Sequence, residues 1–469
     1  MRNFSLHKIK LLGVVIILIL TISCKKLIEI PPSPPQDIAA QDVFVDSTSV
    51  IGAIAGVYNN FNESTQVLSV NNGLITASTG LSGDELLTTT GEPAFSQLSN
   101  NAILPSNSNM ETLWSSSYLS LYPVNDCLTR IASSTGISES LKQQLTGELK
   151  TVRALYYFNL VNLFGGVPIV TSTVYKTTSL LPRASVVDVY NQIIDDLTDA
   201  RKRLNGNYPS DGHIRPNIYV ASALLAKVYL YQSQWQNAVD MASQVINSGD
   251  YRLTDSLNSV FLDRSSEAIW QLPAENPNQG VVEAATFLPS DAFTISPFPL
   301  TATLLNSFEP GDQRKIKWVG TQILSDNNGN NVSYYYPFKY KNRNQAQPAE
   351  DYMILRLGEQ YLIRAEALAH LSNITEALQD VNMVRHRAGL LPYAGAMDQA
   401  SVLAAIMHER QTELFCEWGN RWFDLQRTGT INSVLNGEKT GWKSTTDPLY
   451  PIPLTEKQSN PNLTQNPGY

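Results

Sequence analysis

Two segments far apart in this chain place small residues at the same interval, and that interval dictates how their helices can pack. Ala226 and Ala238 lie twelve positions apart, as do Ala365 and Ala377. In the first segment Leu225, Ala226 and Tyr229 precede a turn at 232–234, after which come Ala238, Ala242 and Val245. In the second, Ala365 and Leu368 precede a turn near 372–374, followed by Ala377, Val381 and Val384. Each reads as a pair of helices whose alanines let the two backbones cross closely.

This is the small-residue spacing of a tetratricopeptide hairpin, and segments 217–249 and 356–389 are each about one repeat long. Repeats bury their faces only against neighbours. The two hairpins are therefore expected to meet in space, joined by earlier helices. One such helix is expected from a capping box at Ser140–Gln143, with Leu141, Leu145, Leu149, Val152 and Tyr156 on one face. Gly165, Gly166 and Pro168 end it. Another opens at Ser185 and carries Val186, Val189, Tyr190, Ile193, Ile194 and Leu197; Arg201, Lys202 and Arg203 close it where the helix dipole favours cations. The expected class is mainly α.

Two stretches break that pattern. Residues 59–110 and 273–349 are rich in Asn, Ser, Gly, Pro and Thr, with scattered aromatics and little helical period. A helical frame carrying long polar loops suits recognition.

The N-terminus sets the compartment. Arg2, Lys8 and Lys10 precede an apolar run at 11–22, and Ser23 then precedes Cys24. The run is too short to span a bilayer, which needs roughly 20 apolar residues, and the arrangement reads as an export signal over residues 1–23. Cys24 is the expected lipid anchor, and the prolines 31, 32, 34 and 35 stiffen a tether over 24–36. Residues 37–469 form one expected domain. Loss of the three basic signal residues changes the net charge from −8 to −11. No basic stripe survives, which argues against nucleic acid. Cys127 and Cys416 read as buried free thiols, not a disulfide framework.

Catalytic patterns fail on inspection. His408-Glu409 begins like a zinc-protease motif, but Thr412 stands where the second histidine belongs. Gly80-Leu-Ser82-Gly83 is followed by Asp84, which breaks a nucleophile elbow. The five histidines show no metal-ligand spacing, and phosphate-loop and dinucleotide fingerprints are lacking. Asp195 and Asp196 point different ways and read as a solvated face. Glu409, Glu413 and Glu417 form a row that would repel itself unaided; Arg410, Arg421 and Arg427 are expected to compensate it, under Trp418, Trp422 and Phe423. No catalytic residue, metal or cofactor is expected.

Several blocks taken in order resemble the SusD/RagB family of nutrient-binding outer-membrane lipoproteins. They are Gly83-Asp84-Glu85; Trp114, Tyr118 and Asn125; Glu148 through Arg153 and Tyr157 to Phe164-Gly165-Gly166-Val167-Pro168; Leu355-Arg356 through Arg364-Ala365-Glu366; and Asn382 through Arg385 and Arg387 to Leu390. Glu409-Arg410 with Glu413, Arg421-Trp422 with Asp424, Tyr450-Pro-Ile-Pro453 and the closing Asn466-Pro-Gly-Tyr469 complete the set. The resemblance implies a SusD-like α/α superhelix with tetratricopeptide-type hairpins and a loop-rich, irregular ligand-binding face. It implies no enzyme activity, a glycan or peptide ligand, and a SusC-like TonB-dependent transporter as partner. It also implies an outer-membrane location, lipid-anchored and facing the exterior.

Sugar binding needs flat aromatic faces beside amides and charges. The loops offer three candidate sets: Phe95 with Asn100 and Asn101; Phe287, Phe293 and Trp318; Tyr334, Tyr335 and Arg343. A helical scaffold without a small ligand and a glycan hydrolase working through a carboxylate pair are the alternative readings.

Overall fold

The computed structural model describes residues 44–61, 68–274, 280–326, 328–343, 348–444 and 448–469. The signal, Cys24 and the tether lie outside the described residues.

Helix Glu139–Phe164 is the axis of the molecule: from Thr151 to Leu160 every residue is buried. A stretch buried on every side must be covered all round, and Ser108–Ser133 and Val186–Arg203 pack on it. Its N-cap is Ser138, whose hydroxyl accepts the Leu141 amide at 3.2 Å, two residues before the expected box. The stop is where expected, with Gly165 at φ +74°, a conformation that favours glycine. Ser185 likewise caps the helix it was expected to open, accepting the Asp188 amide.

The two alanine pairs form two helical hairpins, Ile218–Tyr231 with Trp235–Ile246 and Leu357–His370 with Ile374–Arg387. All four alanines are fully buried. The hairpins meet directly. Trp235 stacks on His370 with ring centroids 3.8 Å apart, and Arg364 reaches Ser243 at 3.3 Å. Val239 packs against the small apolar cluster of Ala365, Ala377, Val402 and Ile406 beneath the second hairpin.

The loop-rich stretches hold more regular structure than their composition suggests. Helix Leu74–Ser82 is buried at every position, so it has no polar face to give a period. Among the described residues, four strands form two antiparallel pairs: β1 (Ala268–Pro273) with β4 (Asp351–Arg356), and β2 (Val319–Ser325) with β3 (Asn331–Pro337). Strand β4 delivers Arg356 into the core, where it is 1% exposed. Cys127 and Cys416 are buried and unbridged. No helix among the described residues is long and apolar enough to cross a membrane.

Candidate ligand-binding face

The glutamate row is a buried ion-pair lattice. Arg314 lies 2.6 Å from Glu409 and 3.1 Å from Glu413, with Asp312 at 2.8 Å. Arg387 bridges Glu267 and Glu413, and Lys339 contacts Glu417. Burial alone would raise the Glu413 carboxyl, but Arg387, Arg356 and Arg314 hold it well below the usual range. The compensating cations are therefore not those expected. Arg410 pairs with Asp424 at 2.7 Å, Arg427 with Glu366 at 2.5 Å, and Arg421 with Asp84 at 2.6 Å. Glu409 and Glu413 share a face of helix Gln399–Glu413 and Glu417 lies past its end, so each reaches whatever packs across from it while neighbours in sequence turn elsewhere. Asp196 also departs from the solvated reading: it is buried and gripped by Arg153 at 2.7 and 2.8 Å.

This lattice supports a layer built from three segments. Leu87 donates to Pro299 at 2.8 Å and Thr89 to Pro297 at 3.0 Å, so residues 86–89 run beside 297–300. Leu300 then donates to the Tyr335 carbonyl at 2.8 Å, joining that ribbon to strand β3. Gln322 on β2 reaches the Asp291 carbonyl at 3.1 Å and ties the hairpin to the loop after helix Val282–Phe287. In that hairpin Gly320 lies under the Tyr336 ring, where a Cβ would meet the ring at 2.2 Å.

The layer sorts the candidate residues. Phe95 and Phe287 flank Phe298 edge-to-face at 5.0 and 5.7 Å, and all three are buried. Two candidate sets therefore converge, but as packing under the surface. Trp318 is 0% exposed, its indole donating to Leu257 at 2.9 Å while Lys339, Arg356 and Arg387 lie over its ring. Asn101 is buried, with its amide on the Ser82 carbonyl at 2.9 Å. Of the candidates, Phe95, Phe287, Trp318 and Asn101 are therefore buried.

Phe293 is the opposite case, 87% exposed on a turn that Asp291 pins by accepting the Phe293 amide at 2.7 Å and the Thr294 hydroxyl at 2.9 Å. Those bonds hold the Asp291 carboxyl below its ordinary range, the Phe293 amide most of all. Tyr334 and Tyr335 are half-buried on β3, opposite Gln322 and Thr321, and Asn100 is exposed at the end of helix Pro93–Ser99. Arg343 spends its guanidinium on the carbonyls of Ala285 and Leu288, so it braces the loop. Sequence reasoning missed Phe298, the clamp of the layer, and Asp291, whose Asp-Ala-Phe-Thr pattern signals a side-chain-capped turn. Among the described residues no group of three His, Cys, Asp or Glu could hold a metal ion.

Comparison with known proteins agrees with this architecture. Residues 304–469 match the model of the SusD family, and residues 35–230 match that of "Starch-binding associating with outer membrane". The SusD-like protein P25 of Formosa agariphila is 25% identical, the alignment covering 98% of this chain and 100% of that relative. The starch-binding protein SusD of Bacteroides thetaiotaomicron is 24% identical, with 71% and 74% covered. Among solved structures, a laminarin-binding SusD-like protein superposes with a TM-score of 0.76 at 26% identity, covering 90% of this chain and all of the other. A SusD-superfamily protein of Bacteroides vulgatus reaches 0.78 at 20% identity, covering 91% and 100%.

Proposed function

Since this chain belongs to the SusD/RagB family, we propose that it is a non-catalytic surface lipoprotein that captures glycan and passes it to a TonB-dependent outer-membrane transporter. The observation that carries the reading is Phe293, a large aromatic held out in solvent by a braced turn on the loop layer. An exposed ring pre-set by its turn is free to stack on a flat apolar surface, as a sugar's C–H face is. The half-buried Tyr334 on the adjoining hairpin offers further aromatic surface, while its neighbour Tyr335 turns to the other face of the strand and packs against the core. The names of similar proteins, one starch-binding and one laminarin-binding, support a carbohydrate as the cargo.

A hydrolytic role has no comparable support. Glycan hydrolysis through paired carboxylates requires one of them to deliver a proton. Glu413 is held ionised by three arginines, and Glu417 is kept below its usual range by Arg356 and Lys339 despite burial. Acylation at Cys24 would tether the body to the outer membrane. The reading is tested with the protein from Lys25 to Tyr469 on affinity gels containing polysaccharides. Retarded migration with no release of reducing ends supports it, and sugar release would refute the non-catalytic part.

A further inference from the structure

The charge pattern of the loop layer restricts its cargo further, on the premise that the layer binds glycan. The chain contains no lysine or arginine between Lys26 and Arg130, none between Arg264 and Arg314, and none between Lys317 and Lys339. Those three gaps contain the whole of the 86–107 segment, the 288–300 loop and both hairpin strands. Segments 62–67, 275–279, 344–347 and 445–447 likewise contain no lysine or arginine.

Most cations that border the layer are already engaged. Arg343 donates to the carbonyls of Ala285 and Leu288, and Lys439 lies 2.7 Å from the Leu81 carbonyl and 3.3 Å from that of Ser99. Lys315 donates to the Leu305 carbonyl at 2.9 Å, Lys341 contacts Asn258, and Lys339 is buried on Glu417. Lys315 and Lys317, just before the hairpin, and Lys443 are exposed, and Lys443 is not without a partner. Facing solvent on the same segments are carboxylates: Glu92 and Asp291 are exposed, and Asp326 sits at the hairpin turn.

Binding a polyanion needs several cations whose field survives salt, and sulfate or carboxylate groups are gripped best by free guanidinium forks. This layer presents aromatic rings, amides and hydroxyls with carboxylates among them. We infer that the glycan bound by the loop layer is uncharged, carrying neither sulfate nor uronate groups along its chain. Hydroxyls and C–H faces match the surface; a dense row of negative charge would be repelled by Asp291 beside the exposed ring.

The test is an affinity-gel panel with the protein from Lys25 to Tyr469. Neutral probes are amylopectin, laminarin and galactomannan; anionic probes are polygalacturonate, alginate and carrageenan, each run at low and high sodium chloride. Retardation by at least one neutral probe, unchanged by salt and lost in Phe293→Ala, with free migration in all anionic gels, is the expected result. Retardation by an anionic probe in preference to every neutral one overturns the inference while leaving glycan binding intact. Retardation by none of the six overturns glycan binding itself, and the inference with it.

Discussion

Arg356 grips Glu417 through two parallel contacts, Nε to Oε2 and Nη2 to Oε1, both 2.8 Å and both buried. The pair joins the end of strand β4 to the segment after helix Gln399–Glu413, so the floor of the loop layer depends on charge as much as on apolar packing.

Removing one partner of such a lattice strands the other without water. Arg356→Ala is expected to cost about 3–5 kcal/mol, because Glu413 and Glu417 lose a cation that helps keep them ionised. Denaturant unfolding of the variant measures it. A loss under 1 kcal/mol would mean that Arg387 and Lys339 compensate alone.

Phe293 and Phe298 should separate binding from stability. Phe293→Ala removes an exposed ring and is expected to weaken glycan binding at least about tenfold, a stacking contribution near 1.4 kcal/mol, with Tm nearly unchanged. Phe298→Ala deletes the ring between Phe95 and Phe287 and should cost about 3–5 kcal/mol. Calorimetry on both variants checks the contrast, which reverses if Phe293 packs inward in solution.

Stability should fall as pH rises from mildly acidic to mildly alkaline. Burial pushes the carboxyls of Glu85 and Glu283 up to about 8, from an ordinary value of 4.5. Between those limits the folded protein holds protons that the unfolded chain releases, so each upward step in pH favours unfolding. Glu413 and Glu417 act in the other direction: their lowered values make stability fall below pH 4.5. The optimum should therefore lie between these two limbs, moved upward from pH 4.5 by His213 and His370, whose charged forms burial disfavours. Glu283→Gln keeps an acceptor for Thr76, which donates to it at 2.7 Å, and should flatten the alkaline limb. Unfolding midpoints from pH 4 to 9 provide the test, and an unchanged slope in the variant would count against a neutral Glu283.

Both thiols should be silent in the native state. Burial pushes Cys127 up to about 11 and Cys416 well above its ordinary value, so little thiolate exists to react. Mass spectrometry after brief iodoacetamide treatment at pH 8 should find neither alkylated until denaturant is added.

Local signals in the sequence predicted local structure well. Ser185 and Gly165 marked helix ends, and the alanine intervals located both hairpins, because capping and close helix crossing act within a few residues. The arginines that neutralise Glu413 were illegible for the opposite reason. Arg314 and Arg356 lie 99 and 57 positions away, and only the tertiary fold brings them in. The loop aromatics fall between these cases. Phe287 and Phe293 stand six residues apart in one composition, yet one faces Phe298 in the core and the other faces solvent. Asp291, two positions before Phe293, was the readable sign of a pinned turn. Nothing comparable marked Trp318 as core.

The location of the ligand is the claim on which the account stands, and hydrogen–deuterium exchange with and without a retained polysaccharide tests it most directly. Slower exchange is predicted in residues 86–92, 288–300 and 331–337, with the hairpin helices Ile218–Tyr231 and Leu357–His370 unchanged. Protection confined to those helices, with the loop layer exchanging as before, would contradict it.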